Sequence, residues 1–111
     1  MGSRQDTVDY IVDQASGAGD VSARKMFGEY GVYCRGKMVA LVCDDRLFIK
    51  PTDPGLDLLG NHEVGAPYPG AKDHLIVDEE RLEDSDFLSE LFAATADALP
   101  APKPKKKKAK T

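Results

Sequence analysis

The sequence has no tryptophan, only two cysteines and two histidines, and no long apolar run among its 111 residues. No apolar segment approaches the roughly 20 residues that a membrane-spanning helix needs. The N-terminal residues, MGSRQDTVDY, lack the charged and then apolar pattern of a secretory signal. Asp6 stands where a myristoylation signal has Ser or Thr. These absences predict a cytoplasmic protein with no membrane attachment.

The sequence motifs of several common enzyme classes are also missing. The glycines between residues 55 and 70 are scattered among prolines, without the GKS or GxGxxG pattern that presents backbone N–H groups to a phosphate. No serine lies in a GxSxG nucleophile motif. Carboxylates occur in pairs at Asp44-Asp45 and within 78–80, and a pocket that separates two carboxyl pKa values can use such a pair for acid–base chemistry. Turns and a solvated edge explain them more simply, so we predict no enzyme and no cofactor.

The cysteines and histidines form no recognisable site. Cys34 and Cys43 fall on neighbouring predicted strands but not opposite each other, and disulfides are rare in cytoplasmic proteins. Two buried free cysteines are therefore expected. A reactive thiol stays the alternative, since it depends on a nearby cation or helix N-terminus that a sequence does not reveal. His62 and His74 have no partner at metal-binding spacing, so no metal site is predicted.

The charges are divided unevenly along the chain. With 41% hydrophobic and 31% charged residues, the composition is typical of one globular domain, which we place at residues 1–99. All 19 acidic residues and nine of the 15 basic residues precede Pro102, so this part carries a net charge of -10. The segment 100–111 is low-complexity and predicted to be disordered. It carries the +6 charge of Lys103, Lys105, Lys106, Lys107, Lys108 and Lys110.

Hydrophobic periodicity predicts a mixed fold with helices at both ends. Apolar residues at helical spacing indicate a helix over 5–15, which Gly17 to Gly19 would end. A short helix is predicted at 56–59, a strand at 74–77, and a last helix that Asp84 or Ser85 caps. Its apolar stripe comprises Phe87, Leu88, Leu91, Phe92, Thr95 and Leu99, with Pro100 ending the helix.

Between the first two helices, the sequence predicts an antiparallel meander of three strands, at 30–34, 38–43 and 47–49. Arg35-Gly36 and Asp44-Asp45 are the predicted turns. This register pairs Cys34 with Lys37 and Val42 with Leu47, and it leaves both sheet faces apolar. One face packs on the helices, and the other is predicted to be covered by a protein partner or by a second copy of the chain. The candidate interface residues are Tyr30, Val32, Val39, Leu41 and Phe48.

Two further segments bear on function. Residues 60–73 form a long loop containing three glycines and two prolines, and loops of this length are commonly functional or mobile. The six tail lysines are candidates for weak nucleic-acid binding, because neutralising phosphates releases counterions. Such binding carries no sequence information, and the acidic domain opposes it. Simple solubilisation by the tail is the alternative.

A resemblance to a known family rests on three stretches: RKMFGEYGVY at 24–33, GKMVALV at 36–42 and LFIK at 47–50. They look like the signature of the TfoX/Sxy N-terminal domain family. The later PYPG at 67–70 and residues 82–92 resemble a subgroup that ends in a Lys/Pro-rich tail. The resemblance implies an α+β fold of helix, three strands, helix, two strands and helix, similar to secretion chaperones. Periodicity predicts only one of these last two strands, at 74–77, and the resemblance places the other near 63–68.

The resemblance also implies a function. Members of the family regulate competence for DNA transformation and act with the cyclic AMP receptor protein in transcription, not as enzymes. Full-length regulators have a second, helical domain, whereas only the tail follows residue 99 here. We therefore expect a regulatory protein that works by protein–protein contact, with the cyclic AMP receptor protein as the partner that the resemblance suggests.

Overall fold

A computed structural model describes residues 4–26, 28–60 and 63–99 of the chain. Six strands form one antiparallel sheet in the order β1-β2-β3-β4-β6-β5. The predicted α+β class with an antiparallel meander and a C-terminal helix is confirmed. The elements are α1 (Gln5–Gln14), a 3-10 turn (Ser16–Ala18), β1 (Val21–Met26), β2 (Glu29–Cys34), β3 (Lys37–Cys43), β4 (Arg46–Ile49), α2 (Asp53–Leu59), β5 (Glu63–Gly65), β6 (His74–Val77), α3 (Glu79–Leu82) and α4 (Ser85–Ala98).

One strand and one α-helix were not predicted. The meander has four strands because β1 precedes the three predicted ones, and the short helix α3 links β6 to α4. β1 is an edge strand of sequence VSARKM, in which three of the six residues are polar, so its total hydrophobicity is low. The charged residues Arg24 and Lys25 on this edge are a common protection against pairing with other chains.

The helices lie on one face of the sheet and cover the main hydrophobic core. α4 contacts β2 and β3, α1 contacts β1 and α4, and α2 packs against α4. Among the largest side chains that are fully buried are Ile11 from α1, Leu47 and Ile49 from β4, Leu59 from α2, and Leu88, Leu91 and Phe92 from α4.

α4 begins and ends with polar contacts that its sequence explains. Asp84 is the N-cap, and its Oδ1 accepts a hydrogen bond from the backbone N–H of Phe87 at 3.0 Å. The helix ends at Ala98, where Lys37 Nζ donates to the carbonyl oxygens of Ala96 at 2.7 Å and Leu99 at 2.9 Å. A lysine suits the negative end of the helix dipole. Pro100 and the predicted disordered tail lie outside the described residues.

Both predicted hairpin turns are present. Arg35 and Gly36 have φ angles of 55° and 84°, and Asp44 and Asp45 have φ angles of 56° and 60°. Positive φ at both central residues is the geometry of a two-residue type I′ turn, which matches the twist of the flanking strands. The predicted pairs Cys34 with Lys37 and Val42 with Leu47 are confirmed.

A β-bulge between the two turns changes the predicted arrangement of faces. Tyr33 pairs with Met38, but Val32 pairs with Ala40, so Val39 is an extra residue in β3. Val39 and Ala40 both belong to the core beneath the helices, whereas strict alternation would place them on opposite faces. The prediction that Tyr30, Val32, Val39, Leu41 and Phe48 share one face is therefore wrong. A bulge adds one residue to the strand and shifts the alternation of side chains beyond it.

Within the described residues, no helix combines the length and the apolarity needed to cross a bilayer.

Candidate functional site

The face of the sheet opposite the helices carries a second, smaller apolar cluster. Leu41, Cys43, Phe48 and Ile76 form it, with exposed fractions of 3 to 8%, and Met26 and Met38 pack against them. All of these residues come from strands. We call this side of the sheet the distal face. Among the described residues, no helix contributes to this cluster, so the helices bury only the other side of the sheet.

A groove with a volume of about 570 Å³ lies on the distal face. We call it the distal groove. Tyr68 belongs to the loop between β5 and β6 and is 54% exposed, so the long loop predicted at 60–73 supplies part of the wall. The lining residues are Met26, Glu29, Met38, Leu41, Cys43 and Tyr68.

Gly31 in β2 creates the space over which two methionines meet. A Cβ atom added to Gly31 would lie 2.9 Å from Met38 Sδ, and 3.1 and 3.2 Å from Met26 Cε and Sδ. These distances are shorter than ordinary van der Waals contact, so only a glycine fits beneath the methionines in this arrangement. Methionine side chains are unbranched and flexible, and they adapt readily to different apolar partners.

The charges around the distal groove are unequal. The carboxylate of Glu29 lines it and accepts a hydrogen bond from the backbone N–H of Asp44 at 3.0 Å. The carboxylates of Glu29 and Asp44 both act on the thiol of Cys43, which also lines the groove. The end of the groove near Glu29 and Asp44 is therefore acidic.

Both cysteines are free and buried. Burial raises the pKa of the Cys43 thiol to about 11, and the nearby carboxylates of Glu29 and Asp44 add to this increase. Burial also raises the pKa of Cys34, against the opposing effect of the Arg35 guanidinium. A reactive cysteine needs a lowered pKa and access to solvent. The structure therefore gives no support to the reactive-thiol alternative.

A second cavity, of about 260 Å³, lies where β4 and β6 meet α3, and acidic residues line part of it. Three of these four acidic residues, Asp45, Glu63 and Asp78, already have protein partners. Asp45 Oδ1 accepts a hydrogen bond from the backbone N–H of Arg4 at 2.8 Å, the main cause of the lowered pKa of Asp45. Asp78 Oδ1 caps α3 through the N–H of Arg81 at 2.9 Å. In the described part of the chain, no group of His, Cys, Asp or Glu is arranged to hold a metal ion.

The predicted interface residues are divided between the two faces. Tyr30, Val32 and Val39 belong to the core beneath the helices, and the Tyr30 hydroxyl donates a hydrogen bond to Gln5 Oε1 on α1 at 3.0 Å. Leu41 and Phe48 belong to the distal face. The six lysines predicted to contact nucleic acid, and His62, lie outside the described residues.

Sequence reasoning did not select the residues that line the rest of the distal groove. Met26, Glu29 and Tyr68 fall in the first hairpin and the long loop, where periodicity is weak. One signal was available: a glycine inside a strand commonly marks a close approach of other groups to the backbone. Gly31 is such a residue.

Comparison with known proteins agrees with the fold. A model of the TfoX N-terminal domain family matches residues 13–99. The chain is also similar to the "Uncharacterized 12.7 kDa protein in trpE 5'region" of Spirochaeta aurantia, with 46% identity over 102 residues that cover 92% of this chain and 88% of that protein. The chain therefore belongs to the TfoX N-terminal domain family and is a competence-regulator-like protein.

Proposed function

We propose that this chain is a non-catalytic regulatory protein that acts in transcription through protein–protein contact, and that the distal face is its contact surface. One observation carries the proposal: the helices cover one face of the sheet, while the other face presents a groove lined mainly by apolar side chains. Apolar patches framed by polar residues commonly mark interaction sites on small proteins.

The proposed partner follows from family membership. Competence regulators of this family act with the cyclic AMP receptor protein, and we extend that partner to this chain as part of the proposal. The absence of catalysis is proposed on the same basis. It is supported by the burial of both cysteines, whose thiol pKa values are raised.

The test is a binding measurement with a single charge placed in the distal groove. Met38 is partly exposed and lines the groove, so Met38→Glu adds a charge there without emptying the main core. Leu56 on α2 is 39% exposed and does not line the groove, so Leu56→Glu is the matched control. Calorimetric titration of each purified full-length chain with the cyclic AMP receptor protein of the same organism, with cyclic AMP present, measures the effect.

We expect Met38→Glu to weaken this binding at least about tenfold, the equivalent of 1.4 kcal/mol, and Leu56→Glu to leave it unchanged. Expression of a reporter gene from a competence promoter should fall in the same way with Met38→Glu and stay unchanged with Leu56→Glu. Circular dichroism of both variants checks that each is folded. Equal binding by the two variants would refute the role given to the distal face, and no binding by the unaltered chain would refute the proposed partner.

Self-association is a second form of the same proposal, in which another copy of the chain covers the distal face. Sedimentation velocity over a range of concentrations tests it, since a dimer held through this face should dissociate in the Met38→Glu variant. A monomer at every concentration would exclude this form.

Weak nucleic-acid binding through the tail is the second candidate function. It is favoured by the +6 charge of the lysines at 103–110 and opposed by the -10 charge of the preceding residues. A gel-shift assay with the full chain and with a chain lacking residues 103–111, at two salt concentrations, decides between binding and solubilisation. Nucleic-acid binding requires a shift that weakens with salt and disappears with the tail.

A further inference from the structure

We infer that the distal groove takes a large apolar side chain flanked by a lysine or arginine, presented by a segment of a protein partner. This inference rests on the proposed function, because it assumes that the distal face is a contact surface. It adds the chemistry of the occupant, which neither the family nor the fold specifies.

The size and lining of the groove select the apolar part of the occupant. Its volume of about 570 Å³ lies within the range of roughly 300 to 1,000 Å³ found for sites that enclose compact ligands. Leu41 and Cys43 lie on the strand at its base, and the exposed ring of Tyr68 stands at its rim. Thioethers also make favourable contacts with aromatic rings. A segment of a protein partner that inserts a large aliphatic or aromatic side chain, with neighbouring groups filling the remaining space, meets these conditions.

The methionines make the groove adaptable. Met26 and Met38 converge above Gly31 with their flexible ends, so they can move apart without any displacement of the backbone. The space that Gly31 leaves allows the incoming side chain to approach the sheet closely. The groove therefore selects a size class of apolar side chain, not one residue type.

The electrostatics of the groove select the basic neighbour. Glu29 lines the groove, and Asp44 lies beside it, joined through its N–H to the Glu29 carboxylate. The described residues together carry a net charge of -10, from 19 acidic and nine basic side chains. A cation beside the apolar anchor is attracted both locally and at longer range.

Two other occupants fit less well. The tail segment 100–111 is basic, but it consists of Pro, Ala, Lys and Thr and so has no large apolar side chain to fill the groove. A second copy of the chain would bring the same acidic surface against Glu29 and Asp44, and like charges across an interface oppose association. Both occupants remain distinguishable outcomes of the experiment below.

The experiment selects ligands from a random twelve-residue peptide library displayed on phage, with the full chain as the target. We expect the recovered peptides to share an aromatic or large aliphatic residue within two positions of a lysine or arginine. Synthetic copies in which either of these residues is replaced by serine should bind at least fivefold more weakly in a fluorescence-anisotropy assay. Recovery of no binders, or of binders that are acidic or tolerate both replacements, would overturn the inference.

Two matched variants test the role of the acidic end. Glu29→Gln should weaken binding of the selected peptides about threefold to tenfold and should reduce its dependence on salt, because it removes the charge but keeps an oxygen to accept from Asp44. Glu63→Gln makes the same change in net charge on the same sheet outside the groove, and it should have less than a twofold effect. Equal effects of the two variants would contradict a specific acidic end.

The methyl NMR signals of Met26 and Met38 report what occupies the groove in the full chain. A selected peptide should shift both signals, whereas deletion of residues 100–111 or dilution of the protein should shift neither. Shifts on tail deletion would identify the tail as the occupant, and shifts on dilution would identify a second copy. Either result overturns the inference. If the peptides bind here but the cyclic AMP receptor protein does not, the proposed partner fails and the inference about the groove stands.

Discussion

The sulfur of Met38 lies over the backbone of Gly31, 2.9 Å from the position that a Cβ on Gly31 would occupy. This contact joins β3 to β2 on the distal face, and it shows why a glycine occurs inside a strand, where it usually costs stability. The groove depends on this arrangement, since any larger residue at position 31 would force the methionine side chains to move.

Replacing Gly31 with alanine should alter the groove far more than the stability of the fold. The new methyl group pushes the flexible ends of Met26 and Met38 aside, and this crowding is partly offset by the lower entropy of the unfolded alanine chain. We expect the free energy of unfolding to change by about 1 kcal/mol or less, as measured by urea denaturation. The methyl NMR signals of both methionines should shift clearly. Gly65→Ala is the control, because its Cβ would approach Ile76 on β6 without lining the groove.

Shortening a side chain should mainly affect stability on one face of the sheet and mainly affect binding on the other. Val32 has no exposed surface and lies beneath the helices, so Val32→Ala should lower the free energy of unfolding by about 2 kcal/mol through lost burial and a residual cavity. Met38→Ala should cost less, because Met38 is only partly buried, but it should weaken binding at the groove. Urea denaturation and peptide binding of both variants measure the contrast. A larger stability loss in Met38→Ala would contradict the assignment of the two faces.

Removing the N-cap of α4 should destabilise the fold by about 1 kcal/mol. In Asp84→Ala the N–H of Phe87 loses its side-chain acceptor, at the start of the helix that provides much of the core. Asp86→Ala, which removes a carboxylate from the same first turn without removing the cap, should cost less than half as much. Thermal and urea denaturation of both variants give the comparison, and equal losses would mean that the charge and not the cap matters.

The cysteines should be inert in the folded protein near neutral pH. Because burial raises the pKa of Cys43 from 9.0 to about 11 and also raises that of Cys34, both thiols are protonated there. Reaction with a coloured disulfide reagent should be undetectable over minutes in the native chain, and it should yield two equivalents per chain in guanidinium chloride. Rapid labelling of either thiol in the native chain would contradict the burial of the sulfurs.

The same shift gives a dependence of stability on pH. An acid whose pKa is higher in the folded state than in the unfolded state stabilises the fold. This contribution to the free energy of unfolding is complete below the unfolded pKa, and it is lost as pH rises through the interval between the two values. For Cys43 the interval runs from 9.0 to about 11. The stability of Cys43→Ser should therefore fall less than that of the unaltered chain between these pH values. Urea denaturation at several pH values measures this. If the free energies of unfolding of the two chains fell equally between these values, the thiol would make no contribution.

The local signals of the sequence were sufficient for most elements. α1, α2, α4, β6 and the later strands of the meander follow from periodicity, caps and turn residues, which act within a few neighbouring residues. The two type I′ turns set the hairpin register through the positive φ angles that Gly36 and the paired aspartates adopt. β1 was missed because half of VSARKM is polar, as expected of an edge strand whose stability depends on its neighbour β2.

The sequence by itself determined that an apolar meander with two nonpolar faces forms between acidic helices, because hydrophobicity and turn geometry are local properties. Only the tertiary structure decided which residues belong to which face. The bulge at Val39 has no distinct local signal, since Val39 and Ala40 suit either side of a sheet equally. Packing beneath α4 places both in the main core, and this placement leaves Met38, Leu41 and Cys43 to line the distal groove.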